Sequence, residues 1–377
     1  MRKRNLSSTF KKRRFVSHGG DIWGFSRKNN IPLEDVLEFS GPINFLGPSP
    51  KVVEALKQNA NLIRYYPDPD PVEFKEEIAK YVGHGVEEEN IILGNGSIEL
   101  IYLIAESLPP GFEALIPVPS FSEYEKAALR IGGEPVFVQL PENFALEIDE
   151  IKKAVTDETR IMCICNPHSP SGTLYSKKTI LELVDFCNKK DIIFSVDENY
   201  IEFAEKGEET TVTGMTKEYE NLFVIRSVTK FYGMPGIRFG YGIAAGNLID
   251  KLETVRQPWS INGLAGVVTL AAFNDTEFIE NTKQTIVEER TALAKSLSKI
   301  GGLYIYPSVT NFLLVKIQNR KLTSTVLKQL LAKERILIRD CSTFVGLDDS
   351  YFRVTVRSAK DNQKLVEIIR QTLYETT

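Results

Sequence analysis

The chain has 377 residues, of which 42% are hydrophobic and 25% are charged, and its formal net charge is −4. These values are typical of a soluble globular protein with two or three domains, and they argue against a nucleic-acid partner spread over the surface. No run approaches the ~18 apolar residues of a membrane span, so we predict a cytoplasmic protein with neither nucleic acid nor membrane among its partners. The four cysteines and three histidines show no zinc-binding spacing, and no metal site is predicted.

The N-terminal segment is strongly basic. Residues 1–20 contain seven lysine and arginine residues and no acidic residue, but they lack the apolar core of a secretory signal. This pattern leaves open a transit peptide or an anion-binding tail, and it favours a solvated arm. The segment ends in His18 and two glycines, which indicate a turn where the backbone approaches a neighbouring group.

Prolines divide the next part of the chain. Residues 40–47 form a predicted loop, and a helix is predicted to begin at Pro50 or the residue after it. Three prolines within 64–71 predict an extended turn that leads into an amphipathic helix ending near residue 83. The residues predicted to face inward on the first of these helices are Val52, Val53 and Leu56.

Residues 91–108 have the pattern of a short strand, a glycine turn and a helix. The first backbone N–H groups of a helix are unpaired and lie at the positive end of its dipole, so they bind phosphate. Glu99 stands where the dinucleotide fingerprint requires its third glycine, and a dinucleotide is therefore not predicted. The residues predicted to surround a phosphate are Gly96, Ser97 and Ile98.

Three further predicted strands end beside residues that suit a ring-shaped ligand. Ligands of open α/β sheets bind at the carboxyl ends of the strands. The strands span 114–118, 160–165 and 192–197, and the residues that end or follow them are Phe121, Asn166 and Asp197.

Residues 227–244 read SVTKFYGMPGIRFGYGIA and carry one lysine, Lys230. A lysine amine attacks a carbonyl group only when it is unprotonated, which a partly desolvated site favours. Ser227, Thr229 and Arg238 would suit a phosphate beside that lysine, because an arginine offers a planar fork of donors to phosphate oxygens. A lysine that bonds to an aldehyde beside a phosphate site is typical of pyridoxal 5'-phosphate enzymes.

The rest of the chain predicts a long helix over roughly 263–298, followed by alternating strands and helices. Arg353 and Arg357 are four residues apart in the strand-like run FRVTVRS, so they are predicted to face the same way. We predict three parts: an N-terminal arm and pocket loop (1–48), a large cofactor-binding domain (49–262) and a small C-terminal domain (263–377).

The lysine segment resembles the cofactor-binding segment of the class I/II aminotransferase family, whose members are fold type I pyridoxal phosphate enzymes. The resemblance extends to Y-P-D-P at 66–69, to N-P-x-x-P-S-G at 166–172 and to Asp197, which fall in the family's order and approximate spacing. It implies an α/β fold, with a large domain around a mostly parallel central sheet and a smaller α+β C-terminal domain. His168 departs from the more usual asparagine at its position.

The resemblance also implies roles for individual residues, although core packing competes for Phe121, packing on prolines for Tyr66, and surface ion pairing for the arginines. The implied catalytic residues are Lys230, which bonds the cofactor aldehyde, Asp197, which pairs with the pyridine nitrogen, and Tyr200, which donates to the ring oxygen. The implied cofactor contacts are Gly96, Ser97, Ile98, Phe121, Asn166, Ser227, Thr229, Arg238 and, from the other subunit of a homodimer, Tyr66. The implied substrate contacts are His18, Asn44, Asn166, Arg339, Arg353 and Arg357.

Three features resemble those of the L-threonine-O-3-phosphate decarboxylases of the same superfamily and favour decarboxylation over transamination. They are HGG at 18–20, R-D-C at 339–341 and the additional Arg357. This implies decarboxylation of L-threonine O-3-phosphate to (R)-1-aminopropan-2-yl phosphate for the cobamide nucleotide loop, and L-serine O-phosphate stays open as a substrate. The alternative is an aminotransferase of the histidinol-phosphate type. A ligand sensor with a DNA-binding arm is disfavoured, because the 17 residues before His18 are too few for a helix-turn-helix domain.

Overall fold

The computed structural model describes residues 18–318 and 322–376, so most of the basic N-terminal arm (residues 1–17) lies outside the described residues. None of the helices within these ranges has both the length and the apolar character that crossing a membrane requires. The strands are β1 (Leu37–Phe39), β2 (Ile91–Gly94), β3 (Glu113–Val118), β4 (Glu134–Gln139), β5 (Thr159–Cys165), β6 (Ile193–Asp197), β7 (Leu222–Ser227), β8 (Gly240–Ile243), β9 (Leu303–Ile305), β10 (Phe312–Ile317), β11 (Ile336–Asp340) and β12 (Tyr351–Thr355). The helices are α1 (Ile22–Asn29), α2 (Pro50–Gln58), α3 (Val72–Val82), α4 (Ser97–Glu106), α5 (Ser122–Arg130), α6 (Ile148–Lys153), α7 (Lys177–Asn188), α8 (Gly207–Thr210), α9 (Gly246–Glu253), α10 (Ala265–Phe273), α11 (Thr276–Leu297), α12 (Ser324–Lys333) and α13 (Ala359–Thr376).

The large sheet has the strand order β2-β8-β7-β6-β5-β3-β4. All neighbours from β4 to β7 pair in parallel, whereas β8 is antiparallel to both β7 and β2. Alternate residues of β7 enter different apolar clusters, Val224 on one face and Phe223 and Ile225 on the other. A sheet buried on both faces in this way needs continuous apolar strands. The prediction of a mostly parallel central sheet is confirmed.

The small sheet has the strand order β1-β11-β12-β10-β9. β1 is parallel to β11, and the other pairs are antiparallel. The predicted α+β character of the C-terminal part is confirmed, although one strand of its sheet comes from the N-terminal segment, where Leu37 is paired with Ile336. The domain boundaries at residues 48 and 262 stay predictions.

Three local predictions differ from the structure. The single helix over 263–298 is wrong, because α10 ends at Phe273 and the Asp275 side chain caps a new helix by accepting from the Phe278 amide at 3.5 Å. On α2, Val52 is buried as predicted but Val53 is 38% exposed. β12 ends at Thr355, so strand alternation does not fix the direction of Arg357.

All four cysteines are buried free thiols, and burial raises the pKa of Cys163, Cys187 and Cys341 to about 12.

A buried ion pair joins the carboxyl ends of β6 and β7. Arg226 donates to Glu198 at 2.9 Å, and their side chains are only 3% and 1% exposed. Glu198 also accepts from the Thr211 hydroxyl at 2.7 Å, so its charge is well satisfied. Because Glu198 follows Asp197 and Arg226 precedes Ser227, the pair fixes the two strand ends that carry predicted site residues.

We expect Arg226→Met to reduce the free energy of unfolding by about 3–5 kcal/mol, because it leaves the Glu198 carboxylate buried without its partner. Urea unfolding measures the change. The double variant Arg226→Met/Glu198→Gln should lose less than the sum of the single losses. As a control, Lys217→Met breaks an exposed pair with Glu87 and should change stability by less than about 1 kcal/mol. Equal effects of the two methionine variants would contradict this account.

Candidate active site

The carboxyl ends of β5, β6 and β7 meet at one edge of the large sheet. Cys165 is in register with Asp197, and Asp197 with Ile225. The Asn166 amide donates to the Asp197 carbonyl oxygen at 2.9 Å. The parallel register therefore brings Asn166, Asp197 and Ser227 together, as expected for residues at strand ends of an open α/β sheet.

Asp197 is buried and held by two donors. The Tyr124 hydroxyl donates to it at 2.9 Å, and the Asn199 amide donates to its other oxygen at 2.9 Å. Burial raises the pKa of the Asp197 carboxyl above its ordinary value, despite these hydrogen bonds and the nearby Lys230. Tyr124 was not among the predicted site residues. The sequence did offer one indication of its role. Tyr124 stands three residues after Phe121, and this spacing places two residues on the same side of a helix.

Lys230 lies just beyond β7 and is partly buried. Burial, together with the positive charges of Arg353 and Arg238, lowers the pKa of its amine to about 8, although the Asp197 carboxylate opposes the shift. About a tenth of the amine is therefore unprotonated at pH 7, far more than for an ordinary lysine. That is the form that a covalent bond to an aldehyde requires.

The Arg238 guanidinium lies close against the first turn of α4. Gly96 has φ of 77°, and a Cβ there would lie 2.5 Å from the Arg238 guanidinium. A Cβ on Gly240 would lie 2.7 Å from the Ser97 amide nitrogen. The buried Ser227 hydroxyl has no hydrogen-bond partner among the described residues. An unsatisfied buried hydroxyl beside a guanidinium and a helix start fits the phosphate of pyridoxal phosphate.

Two aromatic side chains lie near these polar groups. The Phe121 ring is 5.5 Å from the His18 ring and 5.8 Å from the Tyr124 ring. Tyr200 is buried 5.2 Å from the Phe312 ring, and burial raises the pKa of its hydroxyl well above the ordinary value. Their predicted contacts with the cofactor ring stay predictions.

Arg353 is a buried cation beside Lys230. Its guanidinium donates to the Ser169 hydroxyl at 3.1 Å and lies 4.8 Å from the Phe312 ring centre. Its Nε has no hydrogen-bond partner among the described residues. A buried guanidinium with spare donor capacity suits a carboxylate. Arg339 is the direct cross-strand partner of Arg353, so the two side chains share one face of the small sheet.

His18 and Arg339 line a cavity of about 500 Å³ together with Lys28 and Lys328. Burial lowers the pKa of Lys328, and the nearby Arg339 contributes to the shift. Asp340 also lines the cavity, but it accepts hydrogen bonds from the Ser324 and Thr325 hydroxyls and the Ser342 amide. Asp21 lines the cavity as well, so three cations face two acids and positive charge is in excess by one. No sequence motif indicated Lys28 or Lys328, which the fold brings to the cavity from α1 and α12.

Other predicted site residues are committed to protein contacts. The Asn44 amide group donates to the Phe231 carbonyl at 2.9 Å, and the Asn44 backbone amide donates to the Lys230 carbonyl at 3.0 Å. Asn44 therefore binds the backbone of the lysine segment at residues 230 and 231. Arg357 donates to Asp361 and to the Glu38 carbonyl, both at 3.1 Å. These contacts favour structural roles, and the substrate contacts predicted for both residues stay predictions.

Asn166 and Tyr66 also have surroundings that bear on their predicted roles. The Asn166 side chain donates to the Tyr175 carbonyl at 3.2 Å and accepts from the Tyr175 amide at 2.9 Å. Tyr66 is 82% exposed, with its ring 5.1 Å from that of Trp259. Within the described residues, Tyr66 therefore presents most of its side chain to solvent or to another molecule.

His168 connects two loops of the site. Its Nε2 lies 2.8 Å from the Pro119 carbonyl and its Nδ1 2.7 Å from the Ser171 hydroxyl. Burial lowers the pKa of His168 to about 4, so the ring is neutral near pH 7 and donates through Nε2. The residue thereby ties the loop after β3, which carries Phe121, to the loop after β5, which carries Ser169.

Comparison with known proteins gives concordant matches. The sequence profile of the family described as aminotransferase class I and II matches residues 35–369. A protein of Caldanaerobacter subterraneus subsp. tengcongensis, provisionally named threonine-phosphate decarboxylase, is 38% identical over 364 residues, which cover 95% of this chain and 94% of that protein. The crystal structure of histidinol-phosphate aminotransferase from Clostridium acetobutylicum has a TM-score of 0.83 and 32% identity, covering 89% of this chain and 99% of that one. The structure of L-threonine-O-3-phosphate decarboxylase from Porphyromonas gingivalis has a TM-score of 0.80 and 28% identity, with the same coverage of each chain.

We expect the charged Lys230 to destabilise the cofactor-free protein below pH 8. Its pKa of about 8 lies below the ordinary value of 10.5, so the unfolded chain binds more protons between these two values. The free energy of unfolding should therefore rise with pH through this window, relative to Lys230→Met, by about 3 kcal/mol in total. Urea unfolding of both cofactor-free proteins from pH 7 to pH 11 measures the difference. A difference that stays flat or falls with pH would contradict the expectation.

Proposed function

Because the chain belongs to the class I and II aminotransferase family, whose cofactor is pyridoxal 5'-phosphate, we propose that it decarboxylates L-threonine O-3-phosphate. The products are CO2 and (R)-1-aminopropan-2-yl phosphate, which serves the cobamide nucleotide loop. The observation that carries the proposal is the placement of Arg353 beside Lys230, directly across from Arg339 of the cationic cavity. A substrate with a carboxylate and a phosphate on a short carbon chain matches these two adjacent cationic positions.

The relatives support the same reaction. The Caldanaerobacter protein carries the name threonine-phosphate decarboxylase, and the Porphyromonas structure is of L-threonine-O-3-phosphate decarboxylase. L-serine O-phosphate lacks one methyl group, a difference worth about 1–3 kcal/mol in an apolar pocket. We therefore keep it as a second substrate of the proposed enzyme.

The residues at the edge of the large sheet would hold the cofactor. Lys230 would bond its aldehyde, the start of α4 with Ser227, Thr229 and Arg238 would bind its phosphate, and Asp197 would pair with its ring nitrogen. When bound, pyridoxal phosphate supplies a conjugated ring that accepts the electron pair left at Cα of the substrate. The Tyr124 hydroxyl and the Asn199 amide fix the orientation of the Asp197 carboxyl for this pairing.

Arg353 decides which bond of the substrate breaks. By binding the carboxylate, its guanidinium holds the Cα–carboxylate bond in a fixed direction, and only a bond perpendicular to the conjugated system can break readily. The carboxylate leaves as CO2, and Cα takes up one proton. With its pKa near 8, Lys230 is the group that can hold this proton and deliver it to Cα.

An aminotransferase of the histidinol-phosphate type is the second candidate. It is favoured by the Clostridium structure, which is as similar to this chain as the Porphyromonas decarboxylase. Such an enzyme would remove the Cα proton instead of the carboxylate and would need a 2-oxo acid as acceptor. The cationic cavity would serve either substrate, because both carry a phosphate.

Incubation of the holoenzyme with phosphothreonine, phosphoserine and histidinol phosphate, with and without 2-oxoglutarate, distinguishes the two reactions. We expect acceptor-independent CO2 release from phosphothreonine, because Arg353 and the cavity hold its two anionic groups. Release should fall by at least about 10³-fold in Lys230→Ala, the matched control that loses the cofactor bond. Ketone formation from histidinol phosphate that depends on the acceptor, without CO2 from phosphothreonine, would establish the aminotransferase instead.

We also propose that the active unit is a homodimer in which Tyr66 reaches the cofactor phosphate of the other subunit. Ile63, Tyr65, Tyr66 and Trp259 are large side chains that are between 50% and 82% exposed, and the Tyr66 and Trp259 rings lie 5.1 Å apart. Exposed apolar patches commonly mark protein–protein contacts.

We expect mixtures of Tyr66→Ala and Lys230→Ala subunits to recover activity that neither variant has alone. A mixed dimer contains one complete site, formed by Lys230 of one subunit and Tyr66 of the other. The purified mixed dimer should therefore have about half of wild-type activity, because one of its two sites is complete. Co-expression with two affinity tags, followed by activity measurement on the purified mixed dimer, provides the test. Recovery no greater than that of Tyr66→Ala alone would show that Tyr66 acts within its own subunit.

A further inference from the structure

The first turn of α5 carries a buried carboxylate that does not cap its helix. Glu123 is 6% exposed, and its oxygens accept from three side chains, at 2.7 Å from His18, 2.6 Å from Lys126 and 2.9 Å from Tyr102. Burial alone would raise the pKa of Glu123, but its three donors lower it to about 2. A carboxylate is thus kept ionised in a place where an uncharged residue would be easier to bury.

The contact with Glu123 fixes the position of the His18 ring. The side chain of His18 is 42% exposed, and a fully solvated histidine would sample several rotamers. The ring instead lies 2.7 Å from Glu123 and 5.5 Å from the Phe121 ring, at the wall of the cationic cavity. Lys126 Nζ also lies 3.3 Å from the same ring nitrogen, Nε2, that contacts Glu123. The N-cap residue and the first turn of α5 therefore supply Phe121, the Glu123 contact and the Tyr124 hydrogen bond to Asp197.

We propose that Glu123 is a positioning residue that holds the His18 imidazole between the cofactor face and the cationic cavity, where it binds the phosphate of the substrate. This inference rests on the proposed function, because it takes the phosphorylated end of an amino acid or amino alcohol as the ligand of the cavity. Glu123 itself does not contact that ligand and acts only through His18.

The charges around His18 agree with a dianionic ligand. Glu123 and Lys126 face the ring from α5. Across the cavity, α1 and the residue before it contribute Lys28 and Asp21, while α12 and β11 contribute cations and one acid. Asp21 caps α1 through the Gly24 amide at 2.8 Å and Asp340 accepts from three donors, and both acids also attract Lys328. The cations on the cavity side of His18 are Lys28, Lys328 and Arg339, which outnumber the two acids by one charge.

Glu123→Gln in the holoenzyme tests the proposal, since it keeps the volume and an acceptor but removes the charge. We expect the KM for phosphothreonine and the inhibition constant of inorganic phosphate each to rise about tenfold. The kcat and the cofactor absorbance should stay within about twofold of wild type, because Glu123 touches neither cofactor nor reacting atoms. Glu150→Gln, which removes an exposed helix-surface partner of Lys153, is the matched control and should leave both constants unchanged.

A double-mutant cycle separates positioning from general stability. If Glu123 acts through His18, then His18→Gln/Glu123→Gln should bind inorganic phosphate no more than about twofold more weakly than His18→Gln alone. Glu123→Asp, which keeps the charge but shortens the side chain, should recover part of the affinity and serves as the second variant if Glu123→Gln folds poorly. Additive losses in the cycle, an unchanged phosphate constant, or an equal loss of cofactor would each overturn the proposal.

Failure of the proposed reaction gives a different result from failure of this inference. Suppose that phosphothreonine releases no CO2 but inorganic phosphate still binds about tenfold more weakly to Glu123→Gln than to wild type. The proposed positioning role of Glu123 is then supported, and the proposed reaction is wrong. If phosphothreonine is decarboxylated with the same KM by both proteins, the reaction stands and the positioning role is wrong.

Discussion

The parallel pairing of β5, β6 and β7 is the constraint on which the remaining features depend. Because these strands run in the same direction and in register, their last residues meet at one edge, and the chain must leave the sheet there three times. Each strand end carries a polar group: an amide at 166, a carboxylate at 197, and a hydroxyl at 227 followed by the amine of Lys230. The buried Arg226–Glu198 pair holds two of these exits to each other. A shift of one residue in this register would turn Asp197 to the opposite face of the sheet.

The small sheet contributes a second set of charges to the same region. Arg339 and Arg353 lie side by side on β11 and β12, and β1 brings the N-terminal segment with His18 beside them. Two adjacent guanidinium groups repel each other, so their placement needs a reason beyond folding, and anionic ligands supply one. The same Arg353 charge helps to lower the pKa of Lys230, so the group that receives a carboxylate also prepares the lysine for its bond.

Much of this arrangement follows from local sequence patterns. Apolar runs that end in Asn166, Asp197 and Ser227, and the glycine turn before α4, carry their own signals of strand, turn and helix, and the resemblance of the lysine segment implied the family. Contacts between distant segments have no such signal. His18 and Glu123 are 105 residues apart, and Lys328 reaches Arg339 only through the packing of α12 on β11. The same is true of the helix end before Asp275 and of the hydrogen bonds that Asn44 and Arg357 make to other protein groups. These features depend on partner residues that sequence periodicity does not specify.

The state of the sulfur atoms has a practical consequence. All four thiols lie inside the protein, and burial keeps Cys163, Cys187 and Cys341 in the unreactive protonated form. The most accessible strong nucleophile at the catalytic edge is instead an amine. Iodoacetamide and mild peroxide should therefore leave turnover intact, whereas hydroxylamine and hydrazines, which capture the cofactor's aldehyde, should stop it.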